Sequence, residues 1–184
     1  LSNTPKNKIF IATTIDGYIA DREGKIDYLD IFPELNTIDT GYASFISDID
    51  ALVMGRLTYE TVCAFDIPWQ YTKPVYVLSS RPKSGRLKFD LHVTYLKGHT
   101  NEILDQVHKD GYHKLYIDGG SVIQSFLAKD LIDEMIITII PVLLGGGSPL
   151  FGVHNQMLHF RCTETKHFLN AVSQNKFIRT KSVE

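Results

Sequence analysis

Apolar residues fall along the chain in short β-branched runs that alternate with stretches of helical spacing, and this rhythm predicts the elements. Residues 8–13 (KIFIAT) read as a strand that ends at the turn pair Asp16-Gly17, and residues 50–54 (DALVM) as a second that stops at Gly55. Between them, residues 21–36 are turn-rich. Ile38, Tyr42, Phe45, Ile46 and Ile49 then stand near helical spacing and predict a helix over 37–48, with Thr37 or Asp39 at its N-cap. The rhythm repeats: 58–64 reads as a short helix, 74–78 as a strand and 91–96 as a weaker strand. Residues 101–109 form a helix with Ile103, Leu104 and Val107 on one face, 114–117 a strand running into Asp118-Gly119-Gly120, and 121–128 a helix. Strands alternating with helices through short connections imply right-handed crossovers, hence an α/β fold with a largely parallel sheet and helices on both faces.

The last third changes character. An apolar run over 134–144 is interrupted by Pro141 and closed by Gly145-Gly146-Gly147. It fits a buried central strand or an interface equally well, and Pro141 predicts a bulge or an edge position. Residues 161–168 and 177–181 read as antiparallel strands across a polar turn near Ser173-Gln174-Asn175. No repeat, low-complexity tract or linker divides the chain, so one domain over 1–184 is expected.

Composition narrows function more than fold. With 43% hydrophobic and 22% charged residues, a chain of 184 can bury a sizeable core. Nineteen Lys and Arg against twenty-one Asp and Glu leave a formal charge of −2, which argues against nucleic acid and anionic membrane as partners. Cys63 and Cys162 lie far apart with no CxxC, so neither a metal site nor a disulfide framework is suggested. With no apolar leader and no run of membrane length, a cytoplasmic enzyme or binding protein with a small-molecule ligand is expected.

In an open α/β sheet, ligands bind beyond the carboxyl ends of the strands. Four such ends carry candidate chemistry: Thr14-Ile15-Asp16-Gly17, Gly55-Arg56-Leu57-Thr58, Ser79-Ser80-Arg81 and Asp118-Gly119-Gly120-Ser121. Three of them hold the parts of a phosphate site, namely glycines, helix starts, hydroxyls and guanidinium groups. One such glycine serves equally well as a plain tight turn; several on one edge point to a nucleotide with more than one phosphate. No Walker, HExxH, GxSxG or kinase pattern occurs. The seven histidines are scattered, and His108 and His113 read as solvated surface groups.

Five segments carry a family likeness: 11–20 (IATTIDGYIA), 53–60 (VMGRLTYE), 77–82 (VLSSRP), 115–122 (LYIDGGSV) and 141–151 (PVLLGGGSPLF). In order and spacing they resemble the dihydrofolate reductase-like fold. Within it they resemble the reductase domain at the C-terminal end of the bifunctional riboflavin-biosynthesis deaminase-reductase. The resemblance covers nearly the whole chain, without the zinc deaminase signature of the bifunctional enzyme. It implies NADPH as cofactor. Arg56, Thr58, Ser79, Ser80 and Arg81 would hold the 2′-phosphate and part of the pyrophosphate. Gly55 and the Gly119-Gly120 step, with Ser121 and Val122 in the following turn, would offer backbone N–H groups, and Ala12 and Ile19 would flank the nicotinamide. The Gly119-Gly120 bond is expected to be cis. A loop over 15–30, hinged at Gly17 and Gly24, would close over the ring.

Asp16 and Asp118 are then the candidate catalytic carboxylates, while Arg22, Lys25 and Lys73 could meet a substrate phosphate. The resemblance also implies a homodimer formed through a sheet edge or the C-terminal strands. Three readings stay open. They are an NADPH-dependent reductase most like 5-amino-6-(5-phosphoribosylamino)uracil reductase, a reductase of a dihydropterin, and a non-catalytic NADPH-binding module.

Overall fold

Along the strand Ala51–Gly55, alternate side chains enter two different cores. Ala51 and Val53 join one cluster, Leu52 and Met54 another, and all four are fully buried. A strand buried on both faces is the centre of a three-layer molecule. The computed structural model describes residues 4–80 and 87–180. Among these, ten strands and four α-helices occur in the order β1 (Lys6–Thr14), β2 (Tyr18–Ala20), α1 (Tyr42–Ser47), β3 (Ala51–Gly55), α2 (Arg56–Ala64), β4 (Val75–Leu78) and β5 (Val93–Leu96). Then follow α3 (Thr100–Lys109), β6 (Lys114–Asp118), α4 (Gly120–Leu127), β7 (Glu134–Ile140), β8 (Ser148–Pro149), β9 (Phe160–Phe168) and β10 (Val172–Arg179).

Eight strands form one sheet in the order β5-β4-β3-β6-β1-β7-β10-β9. All pairs from β5 to β7 are parallel, and the two pairs made by β10 are antiparallel. Leu104 and Val107 of α3 and Ile123 and Phe126 of α4 pack on one face, Phe45 of α1 and Tyr59 of α2 on the other. Each fully buried aliphatic or aromatic side chain contributes about 1.5–3 kcal/mol of hydrophobic stabilisation. The expected α/β architecture with helices on both faces is therefore present. No helix among the described residues is long and apolar enough to cross a membrane.

Several local expectations are corrected. The helix expected over 37–48 is confined to α1. Gly41 turns left-handed at φ 88, and Asp39 accepts its N–H at 2.8 Å, which makes a turn in front of the helix rather than a cap within it. Two 3-10 helices, Asp27–Ile31 and Pro33–Asn36, occupy the turn-rich stretch. Pro141 neither bulges nor edges a strand: β7 ends at Ile140, and a tight turn around the proline joins Val142 N–H to Ile140 O at 2.8 Å. β7 lies between β1 and β10, so its apolar run is a central strand.

The polar triplet Ser173-Gln174-Asn175 sits inside β10, because Gln174 is buried and donates to Thr138 Oγ1 at 3.0 Å. The turn falls instead at Leu169 and Asn170, both at positive φ. His108 and His113 are half-buried with ring centroids 5.2 Å apart, and His108 Nε2 and His113 Nδ1 are buried without a hydrogen-bond partner.

Candidate cofactor cleft and active site

Strands β3 and β6 are neighbours, with Met54 opposite Asp118, yet the helices that follow them depart to opposite faces of the sheet. This is the point at which an open α/β sheet leaves a crevice beyond its strand ends. Helices α2 and α4 begin at Gly55 and Gly119, and neither has a side chain capping its first turn. The two helix dipoles put partial positive charge in one place.

The approach depends on glycine. A Cβ on Gly119 would lie 2.2 Å from Thr58 Oγ1 and 3.7 Å from Gly55 N, and Gly119 itself sits at φ 86. A Cβ on Gly55 would meet Val122 Cγ2 at 3.2 Å and Ser121 Oγ at 3.5 Å. The expected cis bond at Gly119-Gly120 is corrected: it is trans, and the left-handed φ of Gly119 supplies the turn from β6 into α4.

A cleft of about 860 Å³ opens from this point, with Gly55, Arg56, Ser79, Ser80, Ser121 and Val122 among its lining residues. Such a volume suits a dinucleotide-sized ligand. Arg56 Nε is held by Glu60 at 2.6 Å one helical turn on, which fixes the guanidinium at the cleft wall. Arg81 lies outside the described residues. Thr58 does not line the cleft; its hydroxyl packs against Gly119. The far wall is Lys97, Gly98, His99 and Thr100, which the sequence reading missed. The strand-end rule, applied to the weak strand over 91–96, would have found them.

Ala12, Ile19, Asp16, Asp118, Gly119 and Gly120 are not among the residues that line this cleft. Ile19 packs on the Gly-Gly step, its Cδ1 3.0 Å from where a Cβ of Gly120 would be. β2 pairs with β8, Leu150 N–H donates to Gly17 O at 2.8 Å, and Gln124 Nε2 donates to Pro149 O at 2.8 Å. Asp16 reaches across the same junction. It accepts from Thr14 Oγ1 at 2.6 Å, Gly145 N at 2.8 Å and Leu144 N at 3.2 Å. These bonds, the Thr14 hydroxyl foremost, hold its carboxyl below the ordinary value for aspartate. Arg22, a candidate for substrate phosphate, donates instead to Gly145 O at 2.9 Å.

Asp118 is different in kind. It is half-buried at the end of β6, and among the described residues its carboxylate accepts one hydrogen bond, from Gly119 N–H at 2.8 Å. Burial pushes its carboxyl up to about 6. Burial, and next the charge of Asp118, push Tyr42 up to about 12 and raise Tyr71 as well. A carboxyl that keeps its proton into the mildly acidic range thus stands near Tyr42 and Tyr71 and one residue before the N-cap of α4.

The chain is similar to known proteins over nearly its whole length. The family model for the RibD C-terminal domain matches residues 5–173. Protein YwjB of Bacillus subtilis is 36% identical over 169 residues, covering 91% of this chain and 94% of its own. A candidate riboflavin biosynthesis protein from Shewanella sp. PV-4 superposes with a TM-score of 0.89 at 43% identity, over 96% of this chain and 99% of that one. The Enterococcus faecalis dihydrofolate reductase complexed with NADP(H) and RAB-propyl shares the fold alone, with a TM-score of 0.64 at 20% identity over 96% and 97% of the two chains.

Proposed function

The chain belongs to the RibD C-terminal domain family, and on that premise we propose that it is an NADPH-dependent reductase of a small nitrogen heterocycle, most like 5-amino-6-(5-phosphoribosylamino)uracil reductase. The observation that carries the proposal is the meeting of two helix N-termini without side-chain caps at Gly55 and Gly119, the latter one residue after Asp118, whose carboxyl burial pushes up to about 6. The residues present fit the cofactor: the uncapped N–H groups of α2 and α4 suit a pyrophosphate, and Arg56 with Lys97 suits a 2′-phosphate. The NADP(H) held by the E. faecalis relative on the same fold supports the choice.

The ribosylamine opens to a carbon–nitrogen double bond as its C1′–O4′ bond breaks and the N–H proton passes to the ring oxygen; reducing that double bond takes two electrons and one proton at carbon, and one further proton at nitrogen. NADPH, when bound, supplies the hydride. Asp118 delivers the proton to the substrate nitrogen and is re-protonated from solvent, while Tyr42 and Tyr71 hold the heterocycle and exclude water. Asp16 takes a positioning role, because its low-pKa carboxylate is committed to the backbone of the 144–145 loop. Helix α1 (YASFIS) carries no acidic side chain, which leaves a pterin ring without a carboxylate from that helix and favours the pyrimidine.

The test is NADPH oxidation by the purified chain with 5-amino-6-(5-phosphoribosylamino)uracil and with dihydrofolate in parallel. Turnover of the pyrimidine is expected. Turnover of dihydrofolate alone moves the assignment to the pterin, and NADPH binding without turnover of either leaves a binding module.

A further inference from the structure

A second cavity, of about 340 Å³, lies beside α1 and over β1, β7, β10 and β9, and among the described residues it shares no lining side chain with the cofactor cleft. Lys8 stands opposite Glu134, and Phe10 opposite Ile136, where β1 pairs with β7. The floor is therefore charged at one end and apolar at the other. Phe45 of α1 adds a second ring 5.2 Å from that of Phe10, and Thr40 and Ser44 add hydroxyls to the lining.

The charged end is one anion short of balance. Asp48 takes two lysines, Lys8 Nζ at 2.6 Å and Lys114 Nζ at 2.5 Å, and Glu134 lies 3.1 Å from Lys176 Nζ and 3.9 Å from Lys8 Nζ. Among the described residues, three ammonium groups thus share two carboxylates in one connected chain. Lys166 and Glu164, on the same wall, pair with one another at 3.3 Å and cancel. Lys8, the middle lysine, is only 7% exposed. Its ammonium has three hydrogens, and among the described residues Asp48 takes one of them while Glu134 stands too far off for a hydrogen bond. A buried charge with unused donors on the floor of a cavity calls for an acceptor there.

We propose that this cavity is a second ligand site, for a small monocarboxylate with a flat apolar body. The carboxylate sits between Lys8 and Lys176, and the body lies against Phe10, Phe45 and Ile136. One negative charge completes the chain of lysines and carboxylates, whereas a dianion would face Asp48, Glu134 and Glu164 with a charge in excess. The volume is at the lower end of the range for small-molecule sites. The site goes beyond the reductase reading and does not depend on it. The plain alternative is a water-filled pocket in which solvent takes the spare hydrogens of Lys8.

Heteronuclear NMR titration of the full chain with benzoate, with benzamide as its uncharged counterpart and with sulfate as a dianion, separates the two. Benzoate is expected to shift the backbone amides of Ser44, Ile136 and Lys176, and at those amides to bind about tenfold or more tightly than benzamide or sulfate. Lys8→Met is expected to weaken benzoate about tenfold or more, and Lys176→Met about threefold to tenfold, with NADPH binding unchanged in the latter. Absence of binding, equal affinity for benzoate and benzamide, tighter binding of sulfate, or shifts confined to the first turns of α2 and α4 overturns the site. So does benzoate affinity that neither substitution alters. Should Lys8→Met fail to fold, Lys176→Met, whose side chain is a third exposed, and the three ligands on the unaltered chain still decide.

Discussion

Asp118 trades stability for chemistry. Its folded carboxyl stands at about 6 against an ordinary value of 3.8, so between those values the folded chain holds a proton that the unfolded chain has released. Stability therefore falls as pH rises through this window, and the penalty is fully present above about pH 6. Asp118→Asn is expected to raise the Tm on the alkaline side of the window by an amount corresponding to roughly 1–3 kcal/mol, and to leave it unchanged on the acid side. Thermal melts across the range check this. The same substitution should abolish turnover, and kcat/KM of the unaltered chain should decline above about pH 6 as the donor loses its proton. Lys97, across the cleft, gives a second residue-level expectation. Lys97→Ala should weaken NADPH binding roughly tenfold and NADH binding far less, as titrations with the two cofactors would show.

Elements, rather than residues, make the phosphate-sized crevice, and the joint between β6 and α4 is its most demanding part. Gly119→Ala places a methyl 2.2 Å from Thr58 Oγ1 at a positive φ, so the Thr58 side chain must give way and the backbone is strained besides. Loss of NADPH binding together with a Tm drop of several degrees is expected, measured by titration and melting. Asp16 acts between elements too. Asp16→Asn keeps one acceptor oxygen but cannot take both Gly145 and Thr14 as a carboxylate does, so the KM for NADPH should rise with little change in Tm.

How far these elements could be read from sequence follows from the kind of signal each one leaves. Strand–glycine–helix junctions at Gly55 and Gly119 were legible because apolar runs stop there abruptly. The far wall at 97–100 was legible only through Val93–Leu96, a strand that is half exposed and weak in pattern. The β10 interior was not legible, because Gln174 and Thr138 satisfy one another in a way no single-strand pattern encodes. The bonds that commit Asp16 and Arg22 to the 144–145 loop join residues more than a hundred positions apart, and local pattern cannot anticipate them.

At the scale of the whole molecule, the cleft ties the two cores together. Its walls come from α2, on one face of the sheet, and from α3 and α4, on the other, with the ends of β3, β4 and β5 as its floor. A ligand spanning it contacts groups that exist together only in the folded chain, so its binding free energy adds to global stability rather than to one loop. With NADPH at about a hundred times its Kd the gain is about 2.7 kcal/mol, and for a chain of this size the Tm should rise by roughly 5–10 °C in one cooperative transition. NADH at the same concentration should give a smaller shift, because it lacks the phosphate that Arg56 and Lys97 would meet. The Arg56→Ala, Lys97→Ala double variant should bring the two cofactors level. A melt in which NADPH stabilises one phase and leaves another unmoved would mean that the two faces unfold independently and that the cleft does not couple them.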